Sequence, residues 1–396
     1  MLSVDEARAR ILDGVRPCDL EEIPLDRCLG RVAGAAVRAE IDVPPFANSA
    51  MDGFALRAAD APGPLPIAGE VAAGRGDLPT LAPGTALRIM TGAPLPPGAD
   101  TVVPLEEATE ADGQVRIPAP LSAGRHVRGQ GHDTRSGEEL LLGAPMAAAD
   151  VAVLASIGVA RVAVRRRPVV AILSTGDELV APGEPLRPGA IYDANAPALA
   201  AAVREVGGEP IVLPPVGDSA HETEERLRAA TDGAQLILTS GGVSVGHHDH
   251  VRDAIARLGT LDLWRISVQP GKPLAFGSIG GTPVIGLPGN PVSALVTFEL
   301  FARPLIRAML GLGGDGRVHL PARATQRIVK DAARRAYLRV RLARSEHGYS
   351  AEPSGGQGSS QLRALSAANA LLVVPEGVPA AEAGESYEAI VIGGVA

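Results

Sequence analysis

The chain of 396 residues carries 37 basic and 45 acidic side chains and a formal net charge of −8, which argues against a general nucleic-acid-binding protein. Its two cysteines, Cys18 and Cys28, are too few for a disulfide scaffold or a cysteine-ligated metal cluster. No apolar run approaches the roughly 18–20 residues of a membrane span, and Asp5, Glu6 and Asp13 are unlike a signal peptide, so we expect a soluble cytoplasmic protein.

The first third of the chain is predicted to combine helices with a β-rich segment. Ser3 and Glu6 have the spacing of a capping box at the start of a helix. From Ile41 to Asp133, short apolar runs alternate with Gly and Pro, and Asp112-Gly113 between two such runs predicts a hairpin turn. A further helix is predicted over Ala147–Ile157, where an apolar stretch ends at a glycine.

From Arg167 onward, strands alternate with helices, which predicts a mostly parallel sheet covered on both faces. One of these helices follows Asn195, which we expect to cap it. A long helix over Val292–Leu310 is expected to be interrupted at Pro304. Beyond Gly311 the pattern becomes β-like again and indicates a small barrel or sandwich.

Three glycine-rich loops follow predicted strands of this α/β block. In open parallel sheets the carboxyl ends of the strands form the ligand crevice, and glycines that lead into a helix N-terminus favour anions. One such loop fits a tight turn equally well, whereas three at one sheet edge favour a phosphate or oxyanion site. The loops are Ser174-Thr175-Gly176-Asp177-Glu178, Thr239 to Gly246, and Gly286 to Ser293.

Acidic residues occur at the same sheet edge, where a cation such as Mg²⁺ would reconcile them with an anionic ligand. Each acid alone has a simpler interpretation as a helix cap or a turn residue, but the five together favour a cation site. The neighbouring His247, His248 and His250 allow either metal ligation or a solvated helix start. The five acids are Asp177, Glu178, Asp193, Asp218 and Asp249.

Among the basic residues, only Lys272 and Lys330 are lysines. Lys272 lies between Pro270 and Pro273, which restrict the backbone around it, so a held ammonium rather than a mobile surface side chain is predicted. A compact point charge at the crevice suits a phosphate or a tetrahedral oxyanion.

Six long motifs follow one another along the chain: PPFANSAMDGFA, RIMTGAPLPPGADTVVP, ILSTGDELV, LTSGGVSVG, PGKPLAFG and GLPGNPVSA. In residue identity and in order they resemble the motifs of the molybdopterin molybdenumtransferases, that is, the MoeA family and the gephyrin E domain. The resemblance runs from about Val4 to the C-terminus, and six motifs in order are far more specific than one glycine-rich loop.

The resemblance implies a multidomain α/β plus β fold, an elongated four-domain chain that forms a homodimer. A split N-terminal domain contains an inserted β-rich domain, and a doubly wound α/β molybdopterin-binding domain (three-layer αβα) and a C-terminal β-barrel follow. The implied boundaries are 1–40 with 134–165 for the split domain, 41–133 for the insertion, 166–312 for the α/β domain and 313–396 for the barrel.

The resemblance also implies the molybdenum-insertion step of molybdenum cofactor biosynthesis, in which adenylylated molybdopterin and molybdate give molybdenum cofactor and AMP with the help of Mg²⁺. The pyrophosphate of the first substrate suits the glycine-rich loops, and molybdate, a tetrahedral dianion, suits Lys272 backed by Ser293. Molybdopterin adenylyltransferase and apo-forms of molybdoenzymes are the implied protein partners, whereas nucleic acid and membrane are not expected.

Site residues carry over from the motifs by position. The implied catalytic residues are Asp52, Thr91, Glu178, Asp218, Asp249 and Lys272, of which Glu178, Asp218 and Asp249 would hold the metal. The implied substrate-binding residues are Asp133, Ser174, Thr175, Gly176, Asp177, Ser240, Gly241, Gly242, Ser244, Pro273, Gly289, Asn290, Ser293, Arg339 and Ser366. In the family the inserted domain of one subunit faces the α/β domain of the other, which implies an active site at the subunit interface.

The chain departs from the family pattern at a few positions. Gln269 stands where a basic residue often precedes Pro270, and Arg265 is a candidate to restore that charge. His132, and the pair His247-His248, stand where the family often has an acid.

Two alternatives stay open. A molybdopterin adenylyltransferase shares the SGGVS-type loop, but its fold corresponds only to the α/β block. A non-catalytic, gephyrin-like scaffold has no need for Asp52, Glu178, Asp249 and Lys272 together.

Overall fold

The computed structural model describes residues 1–74, 76–140, 142–242, 250–346 and 348–395. The chain divides into two compact units, Met1–Glu21 with Arg165–Ala396 and Glu22–Val164. Within the described ranges, no helix combines the length and apolar character needed to cross a membrane. The four domain boundaries expected from the sequence stay predictions.

The unit Glu22–Val164 is built around a six-stranded sheet whose pairings are antiparallel apart from one. The predicted hairpin turn is confirmed, because Asp112 and Gly113 have φ of 50° and 73° between two paired strands. In spatial order the strands are Thr101–Pro104, Gly53–Leu56, Ala86–Ile89, Gly63–Val71, Gln114–Ile117 and Thr109–Ala111.

Smaller elements complete this unit. Val37–Arg38 pairs with Glu139–Leu140, and the two short strands flank the predicted insertion in sequence. A helix covers Ala148–Ser156, as predicted. The remaining elements are the strand pairs Asn48–Ser49 with Val127–Arg128 and Leu20–Pro24 with Arg161–Arg165, and the single helical turns Leu25–Arg27, Ala58–Asp60 and Leu105–Glu107.

The other unit opens with the helix Val4–Leu12, whose predicted capping box is present, since Ser3 and Glu6 each accept a hydrogen bond from the other's backbone amide. Its centre is an α/β block with a six-stranded sheet. In chain order the elements of the block are β1 (Val169–Ser174), α1 (Asn195–Val206), β2 (Glu209–Val212), α2 (Ala220–Ala230), β3 (Leu236–Ser240), α3 (His250–Leu258), β4 (Gly259–Arg265), β5 (Pro273–Ile279), β6 (Thr282–Leu287) and α4 (Pro291–Thr297).

The strand order β2-β1-β3-β6-β5-β4 makes this sheet mostly parallel, since only β5 runs against its two neighbours, β6 and β4. Helices α2 and α3 pack over the face that carries Ala171, Leu173 and Ile237. Val170 and Ile172 alternate onto the opposite face and are fully buried beneath the layer that contains α1. The sheet therefore has helices on both faces, which confirms the expected three-layer αβα block. Two short parallel strands, Leu179–Val180 and Ile191–Tyr192, lie outside the sheet.

The helical stretch after β6 is interrupted just before the proline named from the sequence. A π-helical turn at Phe298–Ala302 separates α4 from the helix Arg303–Met309. Pro304 has no N–H to donate to the carbonyl of Leu300, one helical turn earlier. Arg8 Nε donates to that carbonyl at 3.2 Å, so a side chain replaces the missing backbone donor.

The C-terminal region is a closed five-stranded barrel, which settles the barrel-or-sandwich alternative. The circuit closes because Arg335–Ser345 pairs with strands on both of its sides. Val268–Gln269, from the segment between β4 and β5, adds a parallel pairing to the same strand. Around the barrel the strands are Arg335–Ser345, Gly348–Pro353, His319–Ala324, Ser386–Val391 and Ala370–Val374, with a separate pair Ile328–Val329 and Ala380–Ala381 and a short helix Leu362–Ser366.

Acidic and basic side chains surround the segment that leads into the barrel. Arg317 donates to both carboxylate oxygens of Glu299, at 2.7 and 2.9 Å. His319 contacts Glu388 through Nδ1 at 2.6 Å and Asp315 through Nε2 at 2.9 Å, an arrangement in which a protonated ring donates from both nitrogens. Burial opposes the charged ring, but the hydrogen bonds with Glu388 and Asp315 outweigh it, so the pKa of His319 is raised.

Candidate active site

A pocket of about 980 Å³ lies at the carboxyl edge of β1, β3 and β6, and loops of the barrel complete its wall. Its described lining belongs to the unit formed by Met1–Glu21 and Arg165–Ala396. All three glycine-rich loops and the lysine loop contribute to it. The predicted site residues that line it are Thr175, Gly176, Glu178, Asp218, Ser240, Gly241, Gly242, Lys272, Pro273, Gly289, Asn290 and Ser293.

In the first loop, some polar side chains make contacts within the protein and others line the pocket. Asp177 Oδ1 accepts a hydrogen bond from the backbone N–H of Asp218 at 2.9 Å and so ties this loop to the segment before α2. Ser174 ends β1 as a buried residue, and its hydroxyl has no partner in the part of the chain that the structure describes. Neither lines the pocket, whereas Glu178 and Asp218 do.

Asn195, expected only as a helix cap, connects the second and third loops. Its Nδ2 donates to Ser240 Oγ at 2.6 Å and to the Gly289 carbonyl at 2.7 Å. The cap of α1 is instead supplied by Asp193, whose Oδ1 accepts from the amides of Asn195 and Ala196 at 2.9 and 3.1 Å. Asp193 is therefore occupied at the helix start, and Asn195 sets the spacing of two loops in the pocket wall.

Gly241 is required where the first and second loops meet. Its φ of +92° is left-handed, and a Cβ at this position would lie 2.8 Å from the carbonyl oxygen of Thr175. Its N–H donates to the Leu287 carbonyl at 3.2 Å, and Thr175 N–H donates to the Ser240 carbonyl at 3.1 Å. The ends of three neighbouring strands are thus held together by backbone hydrogen bonds directly beneath the pocket.

Lys272 lies on the pocket wall in the loop that enters β5. The loop packs tightly on the helix behind it, since a Cβ at Gly271 would lie 2.5 Å from Thr297 Cγ2. Ser293, in the first turn of α4, is buried and also lines the pocket. Lys272 itself is exposed, and its ammonium group makes no hydrogen bond or ion pair with any described residue. A cation available to a ligand therefore lies at this wall.

Arg339 and Ser366 belong to the barrel and do not line the pocket. Arg339 is buried, and its Nη2 donates to the carbonyls of Gly356 and Gly358, each at 3.1 Å. Its Nε has no hydrogen-bond partner within the described ranges, and burial lowers the pKa of Arg339 to about 10. Ser366 is exposed at the end of the helix Leu362–Ser366. The guanidinium thus supports the barrel loop from below.

Two of the three predicted metal ligands lie in the pocket lining, namely Glu178 and Asp218. Ser244, His247, His248 and Asp249 lie outside the described residues. Among the residues that the structure does describe, no three His, Cys, Asp or Glu side chains are grouped closely enough to form a metal site. Mg²⁺ commonly uses one or two carboxylates together with phosphate oxygens and water, so these two acids fit an ion that binds along with a phosphate-bearing substrate.

The remaining predicted site residues belong to the unit Glu22–Val164. Thr91 donates to Asp52 Oδ1 twice, from its amide at 2.6 Å and from its hydroxyl at 2.7 Å. These hydrogen bonds, with the amide contributing most, hold the pKa of Asp52 below its ordinary value. Asp133 is exposed, and its amide donates to the Val43 carbonyl at 2.9 Å. The predicted pair Asp52 and Thr91 is therefore one hydrogen-bonded group with an ionised carboxylate.

Several lining residues were not proposed as site residues from the sequence, and four of them come from the barrel. The Ser359 carbonyl accepts from the amide of Val292 at 3.2 Å and so joins the barrel loop to the start of α4. The Gly- and Ser-rich stretch from Pro353 to Ser360 was the available signal, although it indicates only a loop. The additional residues include Tyr192, Asn195, Thr223, His250, Arg334, Gln357, Ser359 and Ser360.

Family models match most of the chain in three consecutive segments. Residues 2–158 match the MoeA N-terminal region (domains I and II), residues 171–308 match a probable molybdopterin-binding domain, and residues 321–392 match the MoeA C-terminal region (domain IV).

Individual proteins are similar over nearly the whole length. Molybdopterin molybdenumtransferase 2 of Mycobacterium tuberculosis is 39% identical over 98% of this chain and 99% of its own. The molybdopterin molybdenumtransferase of Haemophilus influenzae is 35% identical over 98% of this chain and 97% of its own. The crystal structure of the molybdopterin biosynthesis MoeA protein of Pyrococcus horikoshii aligns with a TM-score of 0.86 at 33% identity over all of both chains.

Proposed function

The chain belongs to the molybdopterin molybdenumtransferase (MoeA) family, a family of transferases in molybdenum cofactor biosynthesis, and from this premise we propose that it inserts molybdenum into adenylylated molybdopterin. The proposed reaction combines that substrate with molybdate and releases molybdenum cofactor and AMP. We further propose that Mg²⁺ assists it and that the protein works in the cytoplasm.

One observation carries the proposal. The cavity is lined by the backbone of three glycine-rich loops, by the carboxylates of Glu178 and Asp218 in addition to the helix-capping Asp193, and by the ammonium group of Lys272, which has no partner among the described residues. Backbone amides and a cation favour phosphate and molybdate oxygens, while Glu178 and Asp218 match a metal ion that accompanies a phosphate. A pocket for a neutral ligand would have no use for this combination of charges.

The residues divide into binding and positioning roles. Lys272 and the hydroxyl of Ser293 would bind the tetrahedral dianion, and the loop around Gly241 would receive the pyrophosphate through backbone amides. Asn195 holds that loop and the third loop at a fixed spacing. Splitting a phosphoanhydride depends on positioning and charge stabilisation rather than on a covalent intermediate with the protein, and these residues supply both.

Glu178 and Asp218 would hold Mg²⁺, with Asp249 as the third predicted ligand. When bound, the ion supplies positive charge against the phosphate oxygens. The same carboxylates can accept hydrogen bonds from water and ligand hydroxyls and so orient the substrate.

We also propose a homodimer with its active site at the subunit interface. In this proposal the partner subunit's Asp52, held by the partner subunit's Thr91, and the partner subunit's Asp133 complete the site. Mixed dimers of Asp52→Ala and Lys272→Ala chains test it, because one of the two sites in such a dimer is intact. Adenylyltransferase and apo-molybdoenzymes are the proposed partners for delivery and hand-over.

The test of the reaction is AMP release from adenylylated molybdopterin in the presence and absence of molybdate. Molybdate-dependent release supports the transferase. Release that ignores molybdate, or transfer of an adenylyl group from ATP to molybdopterin, would replace it with an adenylyltransferase. Absence of both reactions from a folded protein would favour a scaffold.

A further inference from the structure

The loop that carries Asp52 is joined to the loop that carries Thr91 by backbone hydrogen bonds of one residue. Ser49 N–H donates to the Ala93 carbonyl at 3.0 Å, and Gly92 N–H donates to the Ser49 carbonyl at 2.9 Å. Ser49 lies three residues before Asp52 in the chain. The two loops therefore meet at Ser49, close in sequence to the carboxylate.

The hydroxyl of Ser49 closes the turn that leads from this junction to Asp52. Its Oγ donates to the Met51 carbonyl at 2.5 Å and accepts from the Met51 amide at 3.2 Å. Serine commonly stabilises turns through such local hydrogen bonds between side chain and backbone. Ser49 is 0% exposed, whereas Met51 and Asp52 are exposed. A buried hydroxyl thus fixes the backbone immediately before an exposed carboxylate.

The chain is also fixed on the far side of Asp52. Gly53 begins a strand of the six-stranded sheet and pairs with Ile89 on one side and Pro104 on the other. Ile89 ends the neighbouring strand, two residues before Thr91. Because the sheet fixes both chains up to this edge, the turn closed by Ser49 is what remains to set the direction of the Asp52 side chain.

The carboxylate of Asp52 uses its two oxygens differently. Both hydrogen bonds from Thr91 go to Oδ1, and Oδ2 accepts no hydrogen bond from the part of the chain that the structure describes. A hydrogen bond weakens steeply as its angle departs from linear, so a changed turn would loosen the contact with Thr91. The direction in which Oδ2 points therefore depends on the turn that Ser49 closes.

We propose that Ser49 is a positioning residue for the reaction: through this turn it holds the Asp52 carboxylate on Thr91, with Oδ2 presented to a ligand. The hydroxyl of Ser49 is occupied with the backbone of Met51 and acts only through Asp52. The proposal rests on the proposed function for the catalytic part played by Asp52. The hold of Ser49 on the pair Asp52 and Thr91 can be measured without any reaction.

The test compares two variants of Ser49 with one control, all in the full chain. Ser49→Ala removes the hydroxyl, and Ser49→Cys replaces it by a thiol, which fills the buried space but is a weak hydrogen-bonding group. The control is Thr85→Ala. The hydroxyl of Thr85 also donates to a carbonyl of its own turn, that of Ala82 at 2.7 Å, but at the opposite end of the strand Ala86–Ile89.

The first readout is the separation of kcat from KM in molybdate-dependent AMP release. Both Ser49 variants should lower kcat about ten- to a hundredfold, because misplacing a catalytic group by about 1 Å has effects of this size. The KM for molybdate should stay unchanged, since the proposed molybdate ligands are Lys272 and Ser293. Thr85→Ala should keep both constants. A wild-type kcat in a folded Ser49 variant would overturn the proposal.

The second readout is the amide resonance of Thr91 in protein labelled with ¹⁵N-threonine, identified by its loss in Thr91→Ser. Asp52→Asn supplies the position for a weakened hydrogen bond, because the charged acceptor is gone. Both Ser49 variants should move the resonance toward that position, and Thr85→Ala should not. An unmoved resonance overturns the proposal even if kcat falls. If the wild-type protein shows no molybdate-dependent AMP release, the proposed reaction fails, and this resonance still decides whether Ser49 positions Asp52.

Discussion

Replacing Asn195 by Ala tests whether one amide sets the spacing of the pocket loops. The substitution removes both hydrogen bonds of Nδ2, to Ser240 Oγ and to the Gly289 carbonyl. Gly289 is exposed, so water can replace the lost donor, whereas Ser240 is 2% exposed and its hydroxyl loses a partner in a buried place. Losing the contact with Ser240 therefore costs more free energy of unfolding than losing the contact with Gly289.

At about 0.5–1.5 kcal/mol for each net hydrogen bond, the expected loss of unfolding free energy is roughly 1–2 kcal/mol, with the Ser240 contact contributing most. The expected loss of kcat/KM is larger, on the order of 10- to 100-fold, because a shift of about 1 Å between positioning groups can cost that much. This difference between stability and activity is what distinguishes a loop-spacing role from a merely structural one.

Asn369 offers a matched control. Its Nδ2 also donates to two carbonyls, of Leu342 and Gly394, each at 3.1 Å, and its Oδ1 accepts from the Leu342 amide at 2.6 Å, but it lies in the barrel and does not line the pocket. Asn369→Ala should therefore lose at least as much stability in a urea titration and still keep its KM values. The reasoning is refuted if Asn195→Ala retains wild-type kcat/KM for both substrates, or if the two variants lose activity equally.

Three further predictions concern charge, backbone and pH. Lys272→Ala should raise the KM for molybdate about tenfold, the lower end of the effect of a charge-assisted contact at an exposed site. Lys272→Arg should recover part of the lost molybdate affinity. Equal KM values for Lys272→Ala and wild type would contradict a molybdate-binding role of Lys272. Gly241→Ala should abolish activity and lower the unfolding free energy by about 1–3 kcal/mol, because the added Cβ would meet the Thr175 carbonyl oxygen. Gly280 is the control: its φ of +58° is also left-handed but the space around it is open, so Gly280→Ala should lose stability and keep its activity. His319→Gln should destabilise the protein most at acid pH. The pKa of His319 is raised above its ordinary 6.5, so the stability that the charged ring contributes is fully present below pH 6.5 and is lost as the pH rises through the raised pKa. Denaturation at pH 5.5 and 8.5 checks this, and a larger loss of stability at pH 8.5 would contradict it.

Structural elements that depend on a few neighbouring residues were predicted correctly from the sequence. The capping box at Ser3 and Glu6 and the hairpin turn at Asp112-Gly113 are of this kind, and the structure confirms them. The three glycine-rich loops also converge as parallel-strand topology requires, because the ends of β1, β3 and β6 are paired neighbours.

What the sequence did not show depends on contacts between distant segments. Asp193 and Asn195 are both good capping residues, and only the position of Ser240 and Gly289 decides that Asn195 turns into the pocket. Arg334 resembles many other arginines of the chain in sequence, and only the fold brings it into the pocket lining. These roles arise from tertiary placement, which neither periodicity nor a short motif encodes.

The central claim is that this pocket couples phosphoanhydride cleavage to molybdenum insertion, and the most direct measurement is the stoichiometry of the two events. Protein, adenylylated molybdopterin and Mg²⁺ are incubated with a series of molybdate concentrations, and released AMP and protein-retained molybdenum cofactor are quantified together. We expect equimolar AMP and cofactor, both rising with molybdate and both falling in Lys272→Ala. AMP release at the same rate without molybdate, or cofactor formation without AMP, would contradict it.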